Sequence, residues 1–282
     1  MRRARLNLAL IVALGVGMAV ATALAPALTT AVGQQARQGW QTEVQPDRLA
    51  SVDMLLQNFE PMAFGDPGER VTWTSVQRWR EPVRAVLIGD AADTYRDDVR
   101  ALFAEFTALT GIQFSLADGD SGANLWMFLS ERDWYRTQVT RSFQRPETIV
   151  CFTNTSLDSN GVIMGAHTVI PEDLNSRGVR TCLAHELMHA IGFQGHPSRN
   201  FDSALRNGIS SERLTINDRI LIRTLYDERL RFDMTPEEAM LHATDIVREL
   251  VGKVQGAKDP LEVLAQRGRT TTAPPPWTGG PV

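Results

Sequence analysis

The sequence predicts an α+β domain, and three observations carry that prediction. Short apolar runs closed by Gly, Asp or Pro read as strands. A long stretch with apolar residues at helical spacing lies among them. Helix-start signals then gather in the last third of the chain. The overall balance agrees: 43% of the 282 residues are hydrophobic and 22% charged, enough for one domain with a real core, with or without a small helical appendage. The net charge is −4, and nothing resembles the basic footprint of a nucleic-acid binder.

Taken in order, residues 1–33 read as a targeting segment. Arg2, Arg3 and Arg5 form a positive start, Leu6 to Ala25 is apolar apart from Asn7 and Thr22, and small residues follow at Ala25-Pro26-Ala27 and Ala31-Val32-Gly33. The run suits a cleaved signal peptide, and it is also long enough for a retained anchor. Either way the rest of the chain is expected outside the cytoplasm, periplasmic or extracellular, touching a membrane only through that anchor. Residues 34–70 are polar, with Pro46, Pro61 and Pro67, and read as a linker or wrapping segment.

The main domain is expected over 71–232. Val83 to Ile88 reads as a buried strand that Gly89-Asp90 breaks. Tyr95 to Leu109 is a helix, with Val99, Leu102, Phe103, Phe106 and Leu109 on one face and Gly111 ending it. Ile112–Leu116, Leu125–Leu129, Ile149–Phe152 and Val162–Ile170 follow as strands, the last closed by Pro171. Leu214 to Leu230 reads as a helix capped by Thr215 or Asn217. Thr235-Pro236-Glu237-Glu238 is a capping box that starts a helix to about Val251, in an appendage spanning 233–267. The Pro- and Thr-rich tail 268–282 cannot form a core and is expected to be disordered.

Chemistry concentrates at His185-Glu186-Leu187-Met188-His189, which reads HExxH and runs on to His196. Histidines four apart share one helix face, so two imidazoles can reach one tetrahedral metal ion. Glu186 lies beside them, placed to take a proton from water rather than to bind the metal. Cys182, Leu183, Leu187 and Ile191 make the rest of the helix apolar, as in a buried central helix. Gly192 permits a left-handed cap, after which the chain can return and offer His196 as third ligand. Asp202, Glu212 and Cys182 are the other candidates for that place.

There are two cysteines, Cys151 and Cys182. An even count in an exported chain favours a disulfide between them. The rival readings are a Cys182 thiolate on the metal, since Cys182 precedes His185 by three, and two buried thiols.

The run His185-Glu186-Leu187-Met188-His189-Ala190-Ile191-Gly192-Phe193 resembles the HExxHxxGF opening of the metzincin metallopeptidases. Gly165-Ala166-His167-Thr168-Val169-Ile170-Pro171 is similar to the edge strand before that helix in matrixins. Leu214-Thr215-Ile216-Asn217-Asp218 through Leu225-Tyr226 resembles their final helix. The chain also resembles an uncharacterised bacterial family of exported proteins, many of which lack the zinc motif. The metzincin resemblance implies a twisted, mostly parallel sheet with an antiparallel edge strand, a long helix, an HExxH helix and C-terminal helices. It further implies one Zn²⁺ per chain on His185, His189 and His196, Glu186 as general base, and a peptide or protein substrate laid along Gly165, Ala166 and His167. Two positions depart from the pattern. Gly195 stands where the third histidine belongs, with His196 one residue late, and Leu205 occupies the place of the methionine turn. His167 would bind a structural zinc in matrixins but reads here as a cleft-side or surface histidine, and His242 as a solvated one. The competing functional reading is a non-catalytic envelope binding protein with structural zinc or none.

Overall fold

A computed structural model describes residues 48–65, 73–142, 149–207 and 211–266; the segment 1–33 that reads as a targeting signal and the tail 268–282 expected to be disordered lie outside them. In chain order the elements are α1 (Val52–Phe64), β1 (Val83–Ile88), α2 (Ala92–Thr110), β2 (Phe114–Leu116), β3 (Leu125–Ser130), α3 (Arg132–Ser142), β4 (Phe152–Leu157), β5 (Ile163–Pro171), α4 (Ser176–Ala190), α5 (Ile216–Leu225), α6 (Pro236–Val254) and α7 (Pro260–Ala265). The fold is a mixed α+β domain. Among the described residues no helix is long and apolar enough to cross a membrane.

The five strands form one sheet in the order β2-β1-β3-β5-β4. The first four pair in parallel, and β4 runs antiparallel to β5 at the edge. Alternation sorts the two faces of the sheet. Leu125, Met127 and Leu129 of β3, with Ala166 and Ile170 of β5, point into the main core. Helices α2 and α4 pack on the sheet from that side. Phe152 and Val169 instead join Tyr135 and Val139 of α3 in a small second core.

Helix α2 runs a little beyond its expected ends, and Gly111 closes it at φ 73°, a left-handed value that suits glycine. Thr215 and Thr235 both cap with full capping boxes, the latter with Pro236 in the first turn. The α5 helix stops at Leu225 rather than Leu230.

Four expectations need correction. The segment read as a linker over 34–70 contains α1, whose Leu55, Phe59, Met62 and Phe64 are buried in the main core. The appended helix α6 is part of the same body: it packs against α1 and α5 and buries Ile246, Val247, Leu250 and Val251. The strand expected at Ile149–Phe152 starts only at Phe152 and runs to Leu157. The strand expected at the sheet edge, β5, is interior, because the turn from Asp158 to Val162 folds β4 back along its outer side.

Candidate metal centre

Helix α4 starts on Asn175, whose side chain accepts the Gly178 N–H at 2.8 Å. Its residues from Thr181 to Met188 are buried, because the helix packs against β4 and β5 and against α2. A buried helix end needs partners for its last carbonyls. Trp79 Nε1 donates to the Ala190 carbonyl at 2.8 Å and Tyr226 Oη to that of Ile191 at 2.8 Å. Gly192 follows at φ 122°, and a Cβ there would stand 2.1 Å from the Gln77 carbonyl oxygen. Only glycine turns the chain away at that point.

After this turn His196 returns to α4. Its Nε2 lies 3.3 Å from the Nε2 atoms of both His185 and His189. Ligand atoms of the three fall within 4.8 Å of one another, making them, among the described residues, the group able to hold a metal ion. The separation is informative. Ligands about 2.0–2.1 Å from a tetrahedral ion sit about 3.3 Å apart along each edge.

Protonation points the same way. His185 Nδ1 donates to the Ala204 carbonyl at 2.9 Å, and His189 Nδ1 to the Phe193 carbonyl at 2.7 Å. A carbonyl only accepts, so these rings carry their proton on Nδ1 and turn an Nε2 lone pair toward the centre. Burial, and then the neighbouring imidazoles, hold His185 neutral well below the ordinary histidine range. Burial lowers His189 likewise and pushes His196 down to about 3, with His189 adding to the effect. Lone pairs converging in a poorly solvated site repel one another unless a cation lies between them.

Glu186 is 2% exposed, and its Oε2 has no hydrogen-bond partner. Burial pushes its carboxyl up to about 8, against a lowering hydrogen bond from Thr153. A buried acceptor left open is a place for a water or a substrate hydrogen.

Two braces fix the surroundings. Cys151 and Cys182 are joined in a disulfide with Cα atoms 6.1 Å apart, tying the start of β4 to α4 one turn before His185. Thr153 Oγ1 adds a contact to the Glu186 carbonyl at 3.1 Å and pairs with Thr168 Oγ1 at 2.8 Å. On the other side Asp218, at the start of α5, accepts from Ser203 Oγ at 2.5 Å and Ala204 N at 2.9 Å. The Ser203–Leu205 turn is thereby fixed, and with it the Ala204 carbonyl that orients His185. Leu205, at the expected methionine-turn position, is buried in this turn.

The rival third ligands are not in this group. Cys182 is in the disulfide, Glu212 pairs with Arg177 at 3.2 Å, and among the described residues the ligand cluster comprises the three histidines without Asp202. Gly165, Ala166 and His167 do not line a free edge. Gly165 and Ala166 are buried in interior β5. His167 alternates with Thr168, so it faces away from α4 and stacks on Trp126 with ring centroids 4.8 Å apart. His242 is exposed on α6. Sequence reasoning missed Asp218 and Thr153 as supports; only the Thr215-x-x-Asp218 capping spacing signalled the first.

Fold and site thus define an α+β protein with three histidines able to hold a metal ion beside a buried glutamate. The chain belongs to the family described as Protein of unknown function (DUF2927), whose model matches residues 52–244. That match begins at α1 and ends within α6, so it takes in parts of both segments that read from sequence as linker and appendage. No curated protein and no solved structure matches the chain.

Proposed function

We propose that this protein is an exported zinc metalloendopeptidase of metzincin type. The observation that carries the reading is the combination at α4: His196 Nε2 stands at tetrahedral-edge distance from the Nε2 atoms of both His185 and His189, and the residue that follows His185, Glu186, has a buried carboxyl oxygen without a partner. The donor set fits the metal, since three neutral imidazoles suit zinc and leave a fourth position open, the arrangement of catalytic rather than structural sites. His185, His189 and His196 would hold it. Zinc bound there would supply Lewis acidity, making water more acidic and polarising a scissile carbonyl.

The chain's own residues do the rest. Glu186 Oε2 accepts a proton from the attacking water and returns it to the leaving amine. Interior β5 leaves substrate placement to β4, the edge strand, which can take an extended peptide by strand addition. The Cys151–Cys182 disulfide holds that strand against α4 and is compatible with an oxidising compartment, in keeping with the N-terminal targeting segment. It also removes Cys182 as a fourth ligand, which weakens the reading of a closed, structural zinc site in a binding protein.

The test is metal analysis and digestion of a broad peptide library by zinc-loaded wild type and Glu186→Gln. We expect one zinc per chain in both, cleavage by wild type, and a loss of at least about 10²-fold in the variant. Equal cleavage by the two would refute the role of Glu186. Full zinc loading with no cleavage by either would favour the binding-protein reading.

A further inference from the structure

We infer that Asn58 is a positioning residue for the metal centre: helix α1 sets the place of His196 through the Asn58 amide and the Met62 carbonyl. The inference rests on the metal-binding reading of the three histidines and is independent of the peptidase reading.

His185 and His189 are placed by their own helix and by carbonyls at Ala204 and Phe193. His196 lies on a loop, which must take its register from elsewhere. The C-terminal carbonyls of α1 lack intrahelical donors, as at any helix end, and this loop supplies them. Gln194 N and Gly195 N both donate to the Met62 carbonyl, at 2.7 and 3.0 Å. Beyond the histidine, Ser198 N donates to Asn58 Oδ1 at 2.7 Å. His196 is therefore bracketed two residues on either side by backbone bonds to one helix.

Asn58 is built for the task. It is 3% exposed, and its Nδ2 donates to the Met54 carbonyl at 2.7 Å, which fixes the amide with Oδ1 toward the loop. The contact between helix and loop is close. A Cβ on Gly195 would stand 2.2 Å from the Pro61 carbonyl oxygen and 3.1 Å from Gly65 Cα. Glycine at 195 thus admits α1, and the histidine moves one residue on, to a place the helix fixes.

The experiment uses the full chain and zinc alone, with affinity read by chelator competition and each imidazole followed by ¹⁵N NMR. In Asn58→Ala, zinc affinity should fall by about ten- to a hundredfold, the usual effect of removing a group that supports a ligand. The Nε2 signal of His196 should leave its metal-bound position while those of His185 and His189 remain. Asn58→Asp keeps an acceptor for the Ser198 N–H and should recover most of the affinity. Should the alanine variant not fold, Asn58→Ser shortens the reach while leaving a polar group in the slot, and the same readings apply. Wild-type affinity in both shortened variants, or equal loss of metal-bound signal at all three imidazoles, would overturn the inference. Failure of the wild type itself to bind zinc would remove the metal-binding reading, and this inference with it, whatever the Asn58 variants do.

Discussion

The two sides of the candidate metal centre are built differently. His185 and His189 stand four apart on a helix, so their relative position follows from α-helical geometry alone. His196 owes its position to a loop pinned against α1, which lies far away in sequence: Asn58 and Ser198 are 140 residues apart. The first pair is local and overdetermined, the third ligand nonlocal and contingent. One half of such a site can be read from a five-residue motif, while the other half exists only in the folded domain.

The largest effects should come from the local pair. His185→Ala breaks the helical pair and leaves one imidazole on the helix and one on the loop, with no shared helix to hold them together, and zinc binding should disappear in equilibrium dialysis. His196→Ala keeps the helical pair and should retain a residual affinity, weakened by about a hundredfold or more. Full occupancy and wild-type affinity in that variant would mean the third ligand lies elsewhere and would dissolve the comparison.

Next comes the brace beside the helical pair. The Cys151–Cys182 bond closes a loop with a sequence separation of 31, which in the chain-entropy picture stabilises by about 3–4 kcal/mol. The Cys151→Ser/Cys182→Ser protein should lose roughly that much in urea denaturation. Two alkylatable thiols in the native wild-type protein would contradict the disulfide directly.

The smallest effect concerns pH in the metal-free protein. His196 is held down to about 3, chiefly by burial, so below about pH 6.5 the unfolded chain takes a proton there that the folded one refuses. The stability this histidine contributes is complete above about pH 6.5 and is lost progressively as pH falls toward its folded value. Glu186, pushed up to about 8, works in the opposite sense, which makes the difference between variants the quantity to measure. From pH 7 to pH 5, metal-free wild type should lose about 1–2 kcal/mol more than metal-free His196→Ala. Parallel losses in the two proteins would show that His196 titrates normally.

The same local–nonlocal divide explains what could be read in the sequence. Strands β1 and β3, helices α2 and α4 and the caps at Thr215 and Thr235 announce themselves by periodicity or cap chemistry within a few residues. Helix α1 carries Leu55, Phe59 and Met62 at helical spacing, but Pro61 within it and prolines on both sides disguised it as linker. Helix α3 is short and polar, buried through little more than Tyr135 and Val139. The order of strands across the sheet is not encoded in any one strand's pattern, so β5 could be recognised while its interior place could not. His196 was legible as a candidate because glycine precedes it. The reason for that glycine, the Pro61 carbonyl, lay in the segment taken for linker.

The span from Asn58 to Ser198 also bears on how the protein comes into being. Contacts between distant parts of a chain form late, because a long loop must close before they are rewarded. The helical pair can exist as soon as α4 is wound, yet its companion is seated only when the first helix and the loop after the fourth have met. On the metal-binding reading, an unfinished or truncated chain would present two imidazoles and hold metal weakly, where the finished domain would present three. Metal capture would then mark completed folding, and a chain that had lost its first helix would forfeit the centre while keeping every ligand.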